Sequence, residues 1–140
     1  MLLGAWTAPT LWMFFAMTDE IAGLVPLLFA LMVLPAMSVP VVRWAAEDSL
    51  GRNGSAGIRT RHTQASDEAW AAGHAAALPV VRKMVPVAAV GVPTALVVQV
   101  LGGGFTGTAV AAVALICEIV VLLRSAGAAN RAARAVTASR

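Results

Sequence analysis

Residues 21–42 read IAGLVPLLFALMVLPAMSVPVV, a stretch without a charged side chain. At a rise of 1.5 Å per residue, about 22 residues of helix span about 33 Å, which matches the hydrocarbon thickness of a bilayer. Pro26, Pro35 and Pro40 are tolerated in a spanning helix when neighbouring helices satisfy the freed carbonyl groups. The stretch therefore predicts a kinked transmembrane helix that packs against others.

The composition of the whole chain agrees with this interpretation. Of its 140 residues, 59% are hydrophobic and 12% are charged, more apolar surface than a water-soluble domain of this length can bury. The single cysteine, Cys117, excludes an intrachain disulfide and a Cys/His zinc cluster. The basic residues lie at the ends of apolar segments rather than along one polar face, so no nucleic-acid partner is expected.

Two further apolar runs, residues 84–101 and 105–123, flank the turn formed by Gly102, Gly103 and Gly104. Each run is long enough to span, and so short a connection predicts an antiparallel helical hairpin. Small residues recur on both arms and allow close backbone packing. The predicted fold class is all-α: a polytopic transmembrane helical bundle with three spanning helices.

The N-terminal segment, residues 1–18, is apolar and uncharged but only just long enough to span. Pro9 and Thr10 interrupt it, and Trp6 and Trp12 suit a membrane interface. It is predicted to be interfacial, re-entrant or a fourth spanning helix. Residues 19–140 are predicted to form the membrane domain.

All ten Lys and Arg residues follow the first predicted span. One group brackets the loop of residues 43–83, and the other lies in the C-terminal tail, residues 124–140. Because two crossings separate the groups, both are expected on one side of the membrane. The positive-inside rule assigns that side to the cytoplasm, so the loop and the C-terminus are predicted to be cytoplasmic.

The loop carries the most distinctive part of the sequence, RNGSAGIRTRHTQASDEAWAAGHAAALP, from residue 52 to residue 79. Asn53 and Gly54 form a turn dipeptide, and Gly57 can adopt a positive φ. Ser66, followed by two carboxylates, predicts a helix start. The helix is expected to run to about residue 78, with Trp70 at headgroup depth, His74 one turn later, and a bend at Pro79.

At these residues the sequence resembles the SdpI family of small bacterial integral membrane proteins, whose name-giving member confers immunity to a secreted toxic peptide made by the same cells. The resemblance is close over residues 52–81 and extends to the flanking helices by pattern. It implies a multi-pass protein of the bacterial cytoplasmic (inner) membrane with a functional loop. The loop residues that carry it are Asn53, Gly54, Gly57, Ile58, Arg59, Thr60, Thr63, Ser66, Asp67, Glu68, Ala69, Trp70 and His74.

Arg59 and Arg61 admit three interpretations. They are topological charges in ordinary lipid contact, structural partners of Asp67, Glu68 or Glu118, or ligands of an anionic headgroup or phosphate, since guanidinium groups pair well with such oxygens. Two arginines alone do not decide among these.

Glu118 is an acidic residue inside the last predicted span, about 9 Å from its basic end, where an isolated carboxylate is costly. It is expected to face the protein. The alternatives are an ion pair with Lys83, Arg43 or Arg59, a neutral acid hydrogen-bonded to a neighbour, and a transport or ligand role.

The motifs of catalysis are missing from the sequence. His62 and His74 fit neither a metal-ligand spacing nor a nucleophile motif, so no enzyme activity, cofactor or metal is expected. The resemblance implies a non-enzymatic protein giving immunity to a membrane-active peptide or taking part in related signalling; the alternative is a small accessory subunit that stabilises a larger membrane protein complex. The expected partners are membrane lipids, a toxic peptide or larger membrane subunits, and further copies of the chain.

Overall fold

The computed structural model describes residues 8–139, with side chains from residue 21 onward. These residues form four helices and no strand: α1 (Ala8–Ala46), α2 (Asp67–Val81), α3 (Met84–Gly102) and α4 (Thr106–Ala138). Within them, three stretches are long and apolar enough to cross a membrane: Ile21–Ala46, Asp67–Gly102 and Thr106–Ala138. The all-α fold class with three possible spans is confirmed.

The first helix is continuous over 39 residues, and Pro26, Pro35 and Pro40 lie inside it without ending it. From Ala8 onward the N-terminal segment belongs to this helix and runs directly into the first span. Whether residues 8–18 enter the bilayer stays a prediction. Residues 1–7, with Trp6, and the side chain of Trp12 lie outside the described part of the chain.

Arg82 and Lys83 form a turn between α2 and α3. The bend was expected at Pro79, but that proline lies inside α2, which continues to Val81. A single proline removes only one backbone donor. Pro86 lies in the first turn of α3, where a missing N–H is no loss, and so favours a new helix start there. Because α3 alone has 19 residues, it is long enough to span without α2, and the position of α2 outside the bilayer stays a prediction.

The predicted hairpin of α3 and α4 is present, and its turn is closed by Gln99. The Gln99 carboxamide donates to the Gly104 carbonyl at 2.7 Å and accepts from the Gly107 N–H at 3.0 Å. Gly103 and Gly104 adopt φ values of 62° and 57°. The arms pack closely: a Cβ on Gly91 would lie 2.7 Å from the Ala114 Cβ.

The fourth helix does not end with the predicted span. It continues to Ala138, so most of the predicted C-terminal tail is helical, and Arg140 lies outside the described residues. This extension packs against α2, with Gly73 so close that an added Cβ would lie 3.2 Å from the Ala129 carbonyl oxygen. We call the part of the bundle formed by residues 43–83 and 124–139 the basic end.

Two apolar clusters hold the helices together. The cluster in the spanning part of the bundle contains Leu24, Leu31, Ala95 and Ala111. The cluster toward the basic end contains Val42, Ala77, Val81, Met84 and Ala129. Large apolar side chains remain on the outside of all three spans, among them Phe29 at 68% exposure and Val100 at 82%. In lipid these side chains are solvated, so a protein built this way is suited to a membrane.

Candidate functional site

Asn53 organises the start of the loop through its carboxamide. The Oδ1 atom accepts the backbone N–H groups of Ser55 at 2.9 Å and Ala56 at 2.8 Å, and Nδ2 donates to the Gly51 carbonyl at 2.8 Å. A side chain that bonds its own backbone in this way defines a tight turn. Gly54 lies at the tip, where an added Cβ would meet no atom within 4 Å.

Gly57 is the point where the loop touches α2. It adopts the predicted positive φ, 95°, and a Cβ there would lie 2.7 Å from Trp70 Cη2 and 2.8 Å from His74 Nε2. Both the backbone conformation and the available space therefore require glycine. This close approach brings the next residue, Ile58, within hydrogen-bond distance of the His74 ring.

His74 is completely buried and connects the loop to α2. The Ile58 N–H donates to Nε2 at 2.8 Å, while Nδ1 lies 2.8 Å from the Trp70 carbonyl oxygen. Since a carbonyl only accepts, Nδ1 carries the proton, and Nε2 keeps its lone pair. Burial, partly offset by the bond to Trp70, lowers the pKa of His74 from its ordinary 6.5, in agreement with this neutral ring.

Trp70 is also completely buried, so its ring contacts the protein rather than lipid headgroups, while its predicted depth relative to the headgroups stays a prediction. Its Nε1 donates to the Leu50 carbonyl at 2.9 Å, and its ring centroid lies 4.1 Å from that of His74. The apolar face that it shares with His74, Ala77 and Val81 packs within the protein, because the extension of α4 and the loop cover it. The periodicity was sound, but it described a protein interface rather than a membrane surface.

Thr60 and Thr63 tie the middle of the loop together and to α4. The Thr63 hydroxyl donates to the Ile58 carbonyl at 2.7 Å and accepts the Thr60 N–H at 2.9 Å. The Thr60 hydroxyl lies 3.0 Å from Asn130 Oδ1, and this is a direct connection to the α4 extension. Asn130 was missed in the sequence because it lies 70 residues from its partner among alanines.

The start of α2 forms as predicted. Ser66 Oγ accepts the Ala69 N–H at 3.1 Å, so it is the N-cap residue. Asp67 accepts from Arg52 Nε at 2.9 Å, and Arg52 also donates to the Gln64 carbonyl. The ion pair of Arg52 and Asp67 therefore holds the start of the loop against the start of α2.

The two arginines of the loop, Arg59 and Arg61, are exposed and line an open cavity of about 580 Å³ together with Arg52. Pairing of Arg59 or Arg61 with Asp67, one of the interpretations left open, is not formed; Arg52 pairs with that carboxylate. The cavity brings three guanidinium groups around one polar space. Whether it takes an anion stays a prediction.

Glu118 is completely buried, as expected, but without the expected partner. Neither carboxyl oxygen has a hydrogen-bond partner, so the predicted ion pair and the predicted bonded acid are both wrong for this structure. Arg43, one of the proposed cations, pairs instead with Glu47 at 2.8 Å. The residue is an unsatisfied polar group inside an apolar helix, a rare and costly arrangement.

Within the described residues, no group of three or more His, Cys, Asp and Glu side chains could hold a metal ion. The candidate residues of the loop instead bond mainly to one another and to backbone groups. Their arrangement builds a hydrogen-bonded polar element on the bundle, and its residues line both the arginine-lined cavity and a separate, mostly apolar groove.

The fold and this element define a multi-pass helical membrane protein whose loop is docked against its own helices. The model of the SdpI/YfhL protein family matches residues 49–123, more than half of the chain, and the chain belongs to that family. The match covers the loop, α2, α3 and the spanning part of α4. No curated protein and no solved structure matches the chain.

Proposed function

We propose that this protein is a non-enzymatic membrane protein that binds an apolar peptide segment at its basic end and so protects the membrane against a membrane-active peptide. The supporting observation is an apolar groove of about 300 Å³ between three elements. Its lining residues are Met37, Ser38, Val41 and Val42 of α1, Ala56, Gly57 and Ile58 of the loop, and Leu122 and Ser125 of α4.

The position of this groove favours a partner that lies in the membrane. Val41 and Val42 directly precede Arg43, and Leu122 lies two residues before Arg124, so the groove is at the level where the spans meet the polar region. An apolar side chain of an inserted peptide can enter there from the bilayer. The hydrogen-bonded loop supplies a preformed wall, which reduces the ordering cost of binding.

We propose the following orientation for this function. Lys83 and Arg124 line one cavity, which supports the inference that both groups of basic residues share one side. By the positive-inside rule, that side is the cytoplasm, and the membrane is the bacterial cytoplasmic membrane. The groove then opens to the inner leaflet.

The experiment is a protection assay with a variant whose groove is filled. Cells that lack the protein should become sensitive to a peptide secreted by the same strain, and the parent chain should restore resistance. Ser38→Leu should restore much less, because the larger side chain occupies the groove. Ala22→Leu adds the same volume at an exposed position outside the groove and serves as the control.

Both variants must accumulate in the membrane to the parental level. Full protection by Ser38→Leu would contradict the groove as the binding site, and undiminished resistance of the deleted strain would contradict immunity. The alternative function, an accessory subunit, is supported by the exposed apolar side chains along the spans, which a larger complex can cover. Stoichiometric co-purification with larger membrane subunits in mild detergent would favour it.

A further inference from the structure

Three basic side chains line a second cavity at the basic end, separate from the arginine-lined cavity of the loop. Lys83, from the turn between α2 and α3, faces Arg124 and Arg131 of α4 across a space of about 610 Å³. All three side chains are exposed. Arg43 and Arg52, in contrast, pair with Glu47 and Asp67 and do not line this cavity.

The same cavity is apolar on the side toward the membrane. Val120 and Leu123 of α4 line it, with exposures of 42% and 68%, and Val80 adds an apolar wall from α2. Along α4, Val120, Arg124, Gly127 and Arg131 follow at intervals of three or four residues and so share one face. This face changes from apolar to cationic over about 16 Å along the helix axis.

Gly127 leaves the room between the two arginines. An added Cβ there would lie 3.5 Å from Arg131 Nη1, an ordinary contact, so alanine is compatible with this position. A longer side chain would occupy the cavity itself. Because Gly127 has no side chain, the space between Arg124 and Arg131 stays open.

We propose that this cavity binds an anionic phospholipid, with its phosphate among Lys83, Arg124 and Arg131 and an acyl chain along Val120 and Leu123. The three positive charges match the headgroup, and the apolar wall lies on the side where the chain begins. A free phosphate satisfies the charges but leaves the apolar wall uncovered. The inference concerns a different cavity from the peptide groove and does not depend on that function.

The test measures binding of phosphatidylglycerol to the full chain in detergent by native mass spectrometry, with phosphatidylcholine as the zwitterionic reference. The parent should retain phosphatidylglycerol preferentially. The double variant Lys83→Gln with Arg124→Gln should bind it roughly 25-fold more weakly, about fivefold for each neutralised cation. Arg82→Gln with Arg134→Gln removes the same charge from exposed residues outside the cavity and should leave binding near the parental value.

A second pair of variants separates the cavity from the net charge. Gly127→Leu should lose the preference for phosphatidylglycerol although no charge has changed, while Gly127→Ala should keep it. Equal binding by the parent and the double variant would overturn the proposal, as would equal losses in both double variants. Displacement of phosphatidylglycerol by inorganic phosphate at equal concentration would assign the cavity to a free anion instead.

Discussion

The Ile58 N–H donates to Nε2 of His74 at 2.8 Å, across 16 residues of sequence. This bond requires a neutral ring, because a protonated Nε2 would place two hydrogens against each other. One of the bonds that attach the loop to α2 thus depends on the protonation state of a histidine.

Acidification should therefore weaken the protein through His74. Because burial lowers the pKa of His74 in the folded state, the unfolded chain takes up the proton first, and stability falls as the pH decreases below about 6.5. Thermal unfolding in detergent should show a lower midpoint at pH 5.5 than at pH 7.5. His74→Gln should reduce this difference and His62→Gln should not; an unchanged pH dependence in His74→Gln would contradict the assignment.

Gly57→Ala should destabilise the docked loop by about 2 kcal/mol or more. A residue with a side chain is strained at a φ of 95°, and the new Cβ would clash with Trp70 and His74. The measurement is the rate at which protease cleaves the loop in membranes, which should rise strongly. Gly54→Ala is the matched control, since its Cβ meets nothing within 4 Å. If both variants resist cleavage like the parent, Gly57 is not required for docking.

Glu118→Leu should leave the free energy of unfolding unchanged or raise it by about 1 to 3 kcal/mol. The substitution removes two buried oxygens without hydrogen-bond partners and replaces them with apolar atoms of similar volume. The unfolding midpoint in detergent tests this. A clear loss of stability would mean that Glu118 has a partner in the protein. Loss of protection at unchanged stability would instead give this carboxyl group a functional role.

Labelling of introduced cysteines should establish the orientation. In a chain with Cys117→Ser, probes at Ser55 and Thr137, both exposed at the basic end, should react with an impermeant reagent only after the cells are opened. A probe at Thr106, exposed beside the glycine turn, should react in intact cells. Ser125 is unsuitable because it is buried at 1% exposure. Reaction at Ser55 in intact cells would reverse the topology.

The spans and the turns could be predicted from sequence because they depend on local properties. The apolar run of residues 21–42, the three glycines after residue 101, the cap at Ser66 and the positive φ at Gly57 each follow from a few neighbouring residues. In contrast, the burial of Trp70 depends on a surface that only the fold creates. Its apolar face suits a membrane as well as a helix, and the pattern alone does not distinguish the two.

The same limit explains the error at Glu118 and the omission of Asn130. A carboxylate in an apolar helix predicts a partner on energetic grounds, yet one of the three candidate cations, Arg43, pairs with Glu47 instead. Asn130 gave no signal because its contact with Thr60 joins distant parts of the chain.

The unbroken helix from Thr106 to Ala138 gives the molecule a mechanical property. It contains no proline, and its final 15 residues extend about 22 Å beyond the spanning part. If the helix rotates as a rigid lever about residue 123, a change of about 10° in tilt displaces its last turn by about 4 Å. Asn130 and Ala129 travel with it and carry the loop along. A change in bilayer thickness that alters the tilt of α4 would thereby displace the loop, which the bond between Thr60 and Asn130 joins to this helix.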